Sequence, residues 1–78
     1  MKIWIERKNG YGTAVSLCKN IFMYADIENE GKYTIVCNDD EIILDHLSKD
    51  KANEYMEEIC AAIKQGERYI RIKWGVLW

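Results

Sequence analysis

The sequence contains no proline and only one histidine in 78 residues. Because proline is the strongest breaker of edge strands, any exposed sheet edge must be protected by charge, by a bulge or by a partner. A single histidine, His46, leaves few ways to build a nucleophile with its base or a histidine-rich metal site. No catalytic signature is present in the chain, and we therefore expect a protein that is not an enzyme.

Long hydrophobic runs are also missing. The apolar stretches are far shorter than the roughly 20 residues that a membrane-spanning helix needs. The apolar start of the chain, residues 1–5, is interrupted by Glu6, Arg7 and Lys8, which makes it too short for a signal peptide. We expect a soluble protein of the cytoplasm with no membrane partner.

The three cysteines, Cys18, Cys37 and Cys60, cannot all pair within one chain, and none lies in a C-x-x-C motif. A reducing compartment fits this pattern. Together with His46 they would make a Cys₃His set, but the separations lack the paired spacing of structural zinc sites. Cys37 and His46 could also meet across neighbouring strands, although a buried free cysteine is the commoner arrangement. We expect no metal and no cofactor.

Charge is divided unevenly along the chain. Eleven of the thirteen Asp and Glu residues lie between Asp26 and Glu58, so that the net charge is +3 over residues 1–25, −8 over residues 26–58 and +3 over residues 59–78. The hydrophobic fraction of 49% and the charged fraction of 31% are those of an ordinary globular protein. A chain of this length forms one domain. The division of charge therefore bears on partners rather than on the fold.

Period-two alternation predicts several strands. Residues 2–6 alternate in this way, and Asn9 with Gly10 predicts a hairpin turn after them. The β-branched and aromatic run over residues 13–26 predicts one bent strand or two short ones, with Lys19 and Asn20 at a bulge or corner. Further strands are predicted for residues 32–37, 41–47 and 69–74.

The best-defined element is a helix predicted for residues 49–65. Apolar residues recur there at steps of three and four, which places them on one face. Ser48 is a good N-cap, Asp50 and Lys64 complement the helix dipole, and Gly66 is suited to end the helix. The stripe consists of Ala52, Tyr55, Met56, Ile59, Ala62 and Ile63.

These elements predict an α+β fold. The strands are joined by connections too short for a crossover, which favours an antiparallel meander. We expect a sheet of about five strands, bent or partly rolled, with one amphipathic helix between strands 4 and 5.

The segment Ile3-Trp4-Ile5, and the helical pattern that runs from Leu44 through Ser48 to Gly66, resemble short uncharacterised proteins of phages and prophages. Those proteins have an N-terminal Trp-Ile strand and a single amphipathic helix after a small antiparallel sheet. The likeness covers most of the chain and consists of residues that build the fold. It implies an accessory role in which the protein binds and inhibits a host macromolecule, including interference with host defence.

The acidic middle of the chain supplies the first candidate surface. A row of carboxylates could compete for the nucleic-acid groove of a host protein, or of a protein–nucleic-acid complex, because charge complementarity selects partners. A solvated helix face would look similar. The candidate partner-binding residues are Asp39, Asp40, Glu41, Asp45, Glu54, Glu57 and Glu58.

A second candidate surface combines aromatic rings with cations: Trp4, Tyr69, Arg71 and Lys73. If the first and last strands are neighbours, these side chains share one face, where rings could stack on bases and cations could contact phosphate. The alternative function is an oligomeric binder that sequesters a nucleotide-like molecule. A net charge of −2 argues against direct nucleic-acid binding.

The chain ends in an apolar segment that predicts either a contribution to the core or an interface, since a free terminus is usually polar. We expect a homodimer through this segment or the adjoining edge strand. The candidate interface residues are Trp74, Val76, Leu77 and Trp78.

Overall fold

The computed structural model describes residues 2–9 and 12–72. Within them the chain forms six strands and one helix. In chain order these are β1 (Ile3–Asn9), β2 (Gly12–Cys18), β3 (Ile21–Ala25), β4 (Lys32–Cys37), β5 (Glu41–Ser48), α1 (Lys49–Lys64) and β6 (Tyr69–Arg71). No helix in the described ranges is long and apolar enough to cross a membrane.

The strands form two three-stranded sheets rather than one. The first sheet has the order β2-β1-β6, with β1 antiparallel to β2 and parallel to β6. The second sheet is an antiparallel meander of β3, β4 and β5. The predicted single meander of about five strands, with its helix between strands 4 and 5, is therefore wrong. The helix follows β5 and precedes β6.

Two contacts between residues far apart in the sequence explain the difference. The extended run is interrupted between β2 and β3. There the backbone N–H of Lys19 donates to the side chain of Asn38 (2.9 Å) instead of to a neighbouring strand. The chain thus passes from one sheet to the other. After β5, the helix brings the chain back so that β6 runs in the same direction as β1, and a parallel neighbour requires such a crossover. The sequence left open whether residues 13–26 form one strand or two, and the structure has two.

The helix agrees with its prediction. It covers Lys49–Lys64, and the side chain of Ser48 accepts a hydrogen bond from the backbone N–H of Lys51 at 3.3 Å. Gly66 adopts a φ of 78°, the left-handed conformation that favours glycine after a helix.

The core lies between the inner faces of the two sheets and the helix. Ile3 and Ile5 of the first sheet, together with Ile35 and Leu44 of the second, have no exposed surface, and Ile59 of α1 is almost fully buried. The other members of this core cluster are Cys18, Cys37, Ile43, Leu47, Ala52, Tyr55, Ala62, Ile70 and Ile72.

Candidate functional site

A turn with two acidic residues joins β4 to β5. Asn38 and Asp39 both adopt positive φ (53° and 75°), a conformation that Asn and Asp tolerate better than most residues. The side chain of Asn38 accepts from the backbone N–H of Lys19 and donates to the carbonyl of Leu17 (2.8 Å), while its backbone N–H donates to the carbonyl of Asn20 (3.2 Å). The turn is therefore fixed to the corner between β2 and β3.

The next two residues of this turn, Asp39 and Asp40, are exposed. Within residues 2–9 and 12–72, no hydrogen bond or ion pair engages either carboxylate. Two negative charges thus directly follow an anchored residue, with their oxygen atoms open to a partner. We call residues 38–40 the acidic turn.

Glu41, predicted to belong to the same partner-binding row, is also exposed, but one of its carboxylate oxygens takes part in a polar network that reaches into the fold. The guanidinium of Arg7 donates to Ser16 Oγ at 3.0 Å, and Ser16 Oγ donates to Glu41 Oε2. Arg7 is only 9% exposed and Ser16 only 6%. The network joins β1, β2 and β5, so it ties the first sheet to the second. Neither Arg7 nor Ser16 was singled out from the sequence, although the polar serine within the apolar β2 was an available signal.

Asp45 is also engaged within the fold. Its Oδ1 accepts from Thr34 Oγ1 (2.8 Å) and from the backbone N–H of His46 (2.8 Å), and its Oδ2 lies 3.2 Å from His46 Nδ1. His46 itself has a φ of 56°. These bonds support a distorted part of β5, where the register against β4 shifts.

The three helical carboxylates, Glu54, Glu57 and Glu58, are exposed on α1. Glu54 lies 3.5 Å from Lys51 in an exposed pair, a contact of small energetic value. Glu58 lines an open cleft that also includes Tyr69 and Arg71. No described contact links these residues to the acidic turn, which is anchored at the β2–β3 corner.

The predicted face of rings and cations forms in part. In the parallel pairing, Trp4 lies beside Tyr69 and Glu6 lies beside Arg71, with the side chains of Trp4 and Tyr69 half exposed. Arg71 Nε is 2.6 Å from Glu6 Oε2, and the Tyr69 hydroxyl donates to Glu6 Oε1. The positive charge of Arg71 is therefore already balanced by a carboxylate, which weakens its case as a phosphate ligand.

The same contacts shift two titrations. The hydrogen bond from Tyr69 lowers the pKa of Glu6, opposed by partial burial and assisted by the charge of Arg71. The bond to Glu6 correspondingly raises the pKa of Tyr69. Glu6 was not identified from the sequence, because the parallel pairing that brings it to Arg71 was not predicted.

A pH test follows from Glu6. A carboxyl group whose pKa is lower in the folded state stabilises the fold above its unfolded pKa, and this contribution is lost as the pH falls through the folded pKa. Glu6→Gln should therefore lower the Tm at pH 7, and the gap from wild type should close as the pH is lowered below the ordinary Glu range. Thermal unfolding monitored by circular dichroism measures the gap. Glu57→Gln, which removes an exposed carboxylate, is the matched control, and an equal pH dependence for both variants would contradict the role of Glu6.

The cysteines do not assemble a metal site with the histidine. Cys18 and Cys37 are buried together, and burial is the main cause that raises the pKa of each thiol. Cys60 is exposed on α1. His46 is also exposed, and it lies near the start of β4, whereas Cys37 is at the end of that strand. Neither the Cys₃His set nor the pair of Cys37 with His46 is formed.

Five of the predicted candidates lie outside the described residues: Lys73, Trp74, Val76, Leu77 and Trp78. The proposed role of this segment in a homodimer stays a prediction.

An apolar row on the outer face of the second sheet was missed from the sequence. Phe22 of β3, Val36 of β4 and Ile42 of β5 are cross-strand neighbours, and Tyr24 stacks on Phe22 with ring centroids 6.0 Å apart. Val36 is only 7% exposed although it does not belong to the core cluster, whereas Phe22, Tyr24 and Ile42 are at least 40% exposed. The alternation of β3 signalled this row, but only the pairing of β3 with β4 assembles it.

No family model, curated protein or solved structure matches this chain. The function must therefore be argued from its own surfaces.

Proposed function

We propose that this protein is a small, non-enzymatic binding protein that captures a macromolecule with a basic surface through the acidic turn. One observation carries the proposal: Asn38 is anchored by three hydrogen bonds, while the neighbouring carboxylates of Asp39 and Asp40 are exposed and without a partner in the described residues. A fixed backbone reduces the entropy lost when a partner binds. Exposed charges that are fixed in this way favour partner choice by electrostatic complementarity.

The partner that suits this surface is a host protein, or a protein–nucleic-acid complex, whose basic groove normally takes an acidic ligand. The resemblance to phage and prophage proteins supports an accessory role against a host macromolecule in the host cytoplasm. The helical carboxylates Glu54, Glu57 and Glu58 form a separate second contact in this proposal, because no described contact joins them to the acidic turn.

The alternative, an oligomeric binder of a nucleotide-like molecule, keeps one supporting observation. An open cleft beside β6 is lined in part by Tyr69 and Arg71. The same cleft also contains Glu58 and Glu67, and Arg71 is paired with Glu6. Arg71 is the only cation among the described residues of this cleft, and the nearby carboxylates would repel a phosphate group. We therefore favour the macromolecular partner.

Capture from a lysate of the natural host, or of a close relative, tests the proposal. The double reversal Asp39→Lys with Asp40→Lys should abolish the specific capture of a macromolecule that the wild-type protein retains. This variant leaves Glu41 in place, so the internal network with Ser16 and Arg7 is preserved.

The matched comparison is Glu57→Lys with Glu58→Lys, which reverses the same number of exposed charges on α1. It should reduce capture less than the reversal in the acidic turn. Undiminished capture by the turn variant would refute the acidic turn as the binding element, and loss with the helix variant alone would transfer the role to α1.

A further inference from the structure

The four sheet edges of the described fold differ in how well they are protected. On β2, the edge-facing carbonyl of Leu17 is occupied by the side-chain amide of Asn38. On β5, Glu41, Asp45 and shifts of register interrupt the edge. The short β6 carries the charged Arg71. Charges, bulges and short length are the usual ways to prevent edge-to-edge pairing.

The β3 edge has none of these features. Its sequence, Ile21–Ala25, contains no charge, no proline and no glycine, and its pairing with β4 shows no shift of register. Within the described residues, β3 is hydrogen-bonded to β4 on one side only. This is the type of edge that accepts another strand.

The hydrogen-bond pattern shows which backbone groups face outward. Asp26 N–H donates to the carbonyl of Lys32, and Asn38 N–H donates to the carbonyl of Asn20. In an antiparallel ladder, alternate residues direct both backbone groups to the same neighbour, so the even-numbered residues of β3 bond to β4. The N–H and carbonyl groups of Ile21, Met23 and Ala25 therefore point away from β4.

We propose that β3 pairs antiparallel with β3 of a second copy of this chain, about a two-fold axis at Met23. In this register Met23 faces Met23 of the other copy, and Ile21 faces Ala25, so all the outward groups of both strands are bonded. Such an isologous contact closes by symmetry. It joins the β3-β4-β5 sheets of the two copies into one continuous six-stranded sheet.

The side chains suit the same register. Phe22 of one copy lies opposite Tyr24 of the other, on the outer face where these rings are 40% and 49% exposed. A directly opposite aromatic pair in an antiparallel sheet is favourable. Because Phe22 already stacks on Tyr24 within one chain, the dimer gathers four rings across the two-fold axis.

The flanking residues set no like charges opposite each other. In this register Lys19 of each copy lies opposite Ile27 of the other, and Asp26 lies opposite Asn20. The Asp26 carboxylate keeps its bonds from the backbone N–H groups of Glu28 and Asn29. Asp39 and Asp40 lie in the turn between β4 and β5, one strand further from the edge. Ile27, which is 98% exposed, would be covered by the stem of Lys19.

The contact is short. A strand of this length with its flanks buries less than the ~800 Å² per partner of a standard interface. We therefore expect a weak dimer, with a Kd on the order of 10–100 μM.

Sedimentation velocity of the purified protein over a concentration series tests the proposal without any other partner. The wild-type protein should shift from monomer to dimer across that range. Phe22→Lys with Tyr24→Lys should stay monomeric, because like charges would lie opposite each other across the two-fold axis. Both side chains are substantially exposed, so the monomer fold should persist, which circular dichroism checks.

Two further variants make the test specific. Phe22→Glu with Tyr24→Lys should still dimerise, because each new carboxylate lies opposite the other copy's new ammonium group. Val15→Lys, at an exposed outward position of β2, should dimerise like wild type.

A wild-type protein that stays monomeric up to about 1 mM, tenfold or more above the expected Kd, would overturn the proposal. An unchanged dimer in the double-lysine variant would also overturn it, and a monomeric Glu-Lys variant would overturn the stated register.

Discussion

Glu41→Lys is expected to destabilise the fold by about 2–3 kcal/mol, measured as the free energy of unfolding in urea. The substitution places an ammonium group beside Ser16 Oγ and the buried guanidinium of Arg7, where a carboxylate now accepts a hydrogen bond. Breaking a fully buried charge network costs about 3–5 kcal/mol, and we take a lower value because Glu41 itself is exposed and only its partners Ser16 and Arg7 are buried.

Glu41→Gln is the matched control, since its amide oxygen still accepts from Ser16 while the charge is removed. It should lie between wild type and Glu41→Lys. Asp40→Lys, one residue earlier in the chain at an exposed position without positive φ, should change stability by less than about 0.5 kcal/mol. Equal losses for Glu41→Lys and Asp40→Lys would contradict the division between a structural Glu41 and a free acidic turn.

Leu44→Ala should have the largest effect on stability, a loss of about 2–5 kcal/mol. Leu44 is fully buried on β5 opposite Ile35, between the second sheet and the helix. Its truncation removes buried methyl groups and leaves a cavity that the packed sheet can close only in part. For a domain of this size the loss corresponds to a drop in Tm of at least about 8 °C.

Ile42→Ala removes a similar number of atoms two residues earlier on the same strand, where the side chain is 54% exposed. It should cost well under half as much as Leu44→Ala. Thermal and urea unfolding of both variants measure the difference. A comparable loss at the two positions would contradict the assignment of the buried face of β5.

β5 also illustrates where the sequence is informative and where it is not. Ile42, Ile43 and Leu44 are three consecutive apolar residues, and period-two alternation cannot assign them to faces. The register shifts from Val36 opposite Ile42 to Ile35 opposite Leu44, which leaves an extra residue on β5 and buries both Ile43 and Leu44. Such a bulge depends on the pairing partner, and the sequence does not contain that information.

The helix, by contrast, could be predicted almost to the residue. Its cap at Ser48, its stripe and its end at Gly66 are local signals, and each is formed by residues close in sequence. The number of sheets could not be predicted, because it depends on long-range contacts. Asn38 reaches back to Leu17 and Lys19, and β6 joins β1 from the other end of the chain.

The candidate site shows the same limit. The sequence identified the excess of carboxylates, but their roles depend on tertiary contacts. Glu41 is bonded to Ser16, Asp45 is bonded to Thr34 and His46, and Asp39 and Asp40 are left exposed. The buried partners of Glu41 could not be inferred without knowing that β2 and β5 come together.

The central claim is that the acidic turn binds a macromolecule with a basic surface. A titration of the captured macromolecule with purified wild-type protein, and with the Asp39→Lys and Asp40→Lys double variant, tests it most directly. We expect the double variant to bind at least about tenfold more weakly, corresponding to 1.4 kcal/mol or more, and we expect the wild-type affinity to fall as salt is added. Equal affinities for the two proteins would contradict the claim.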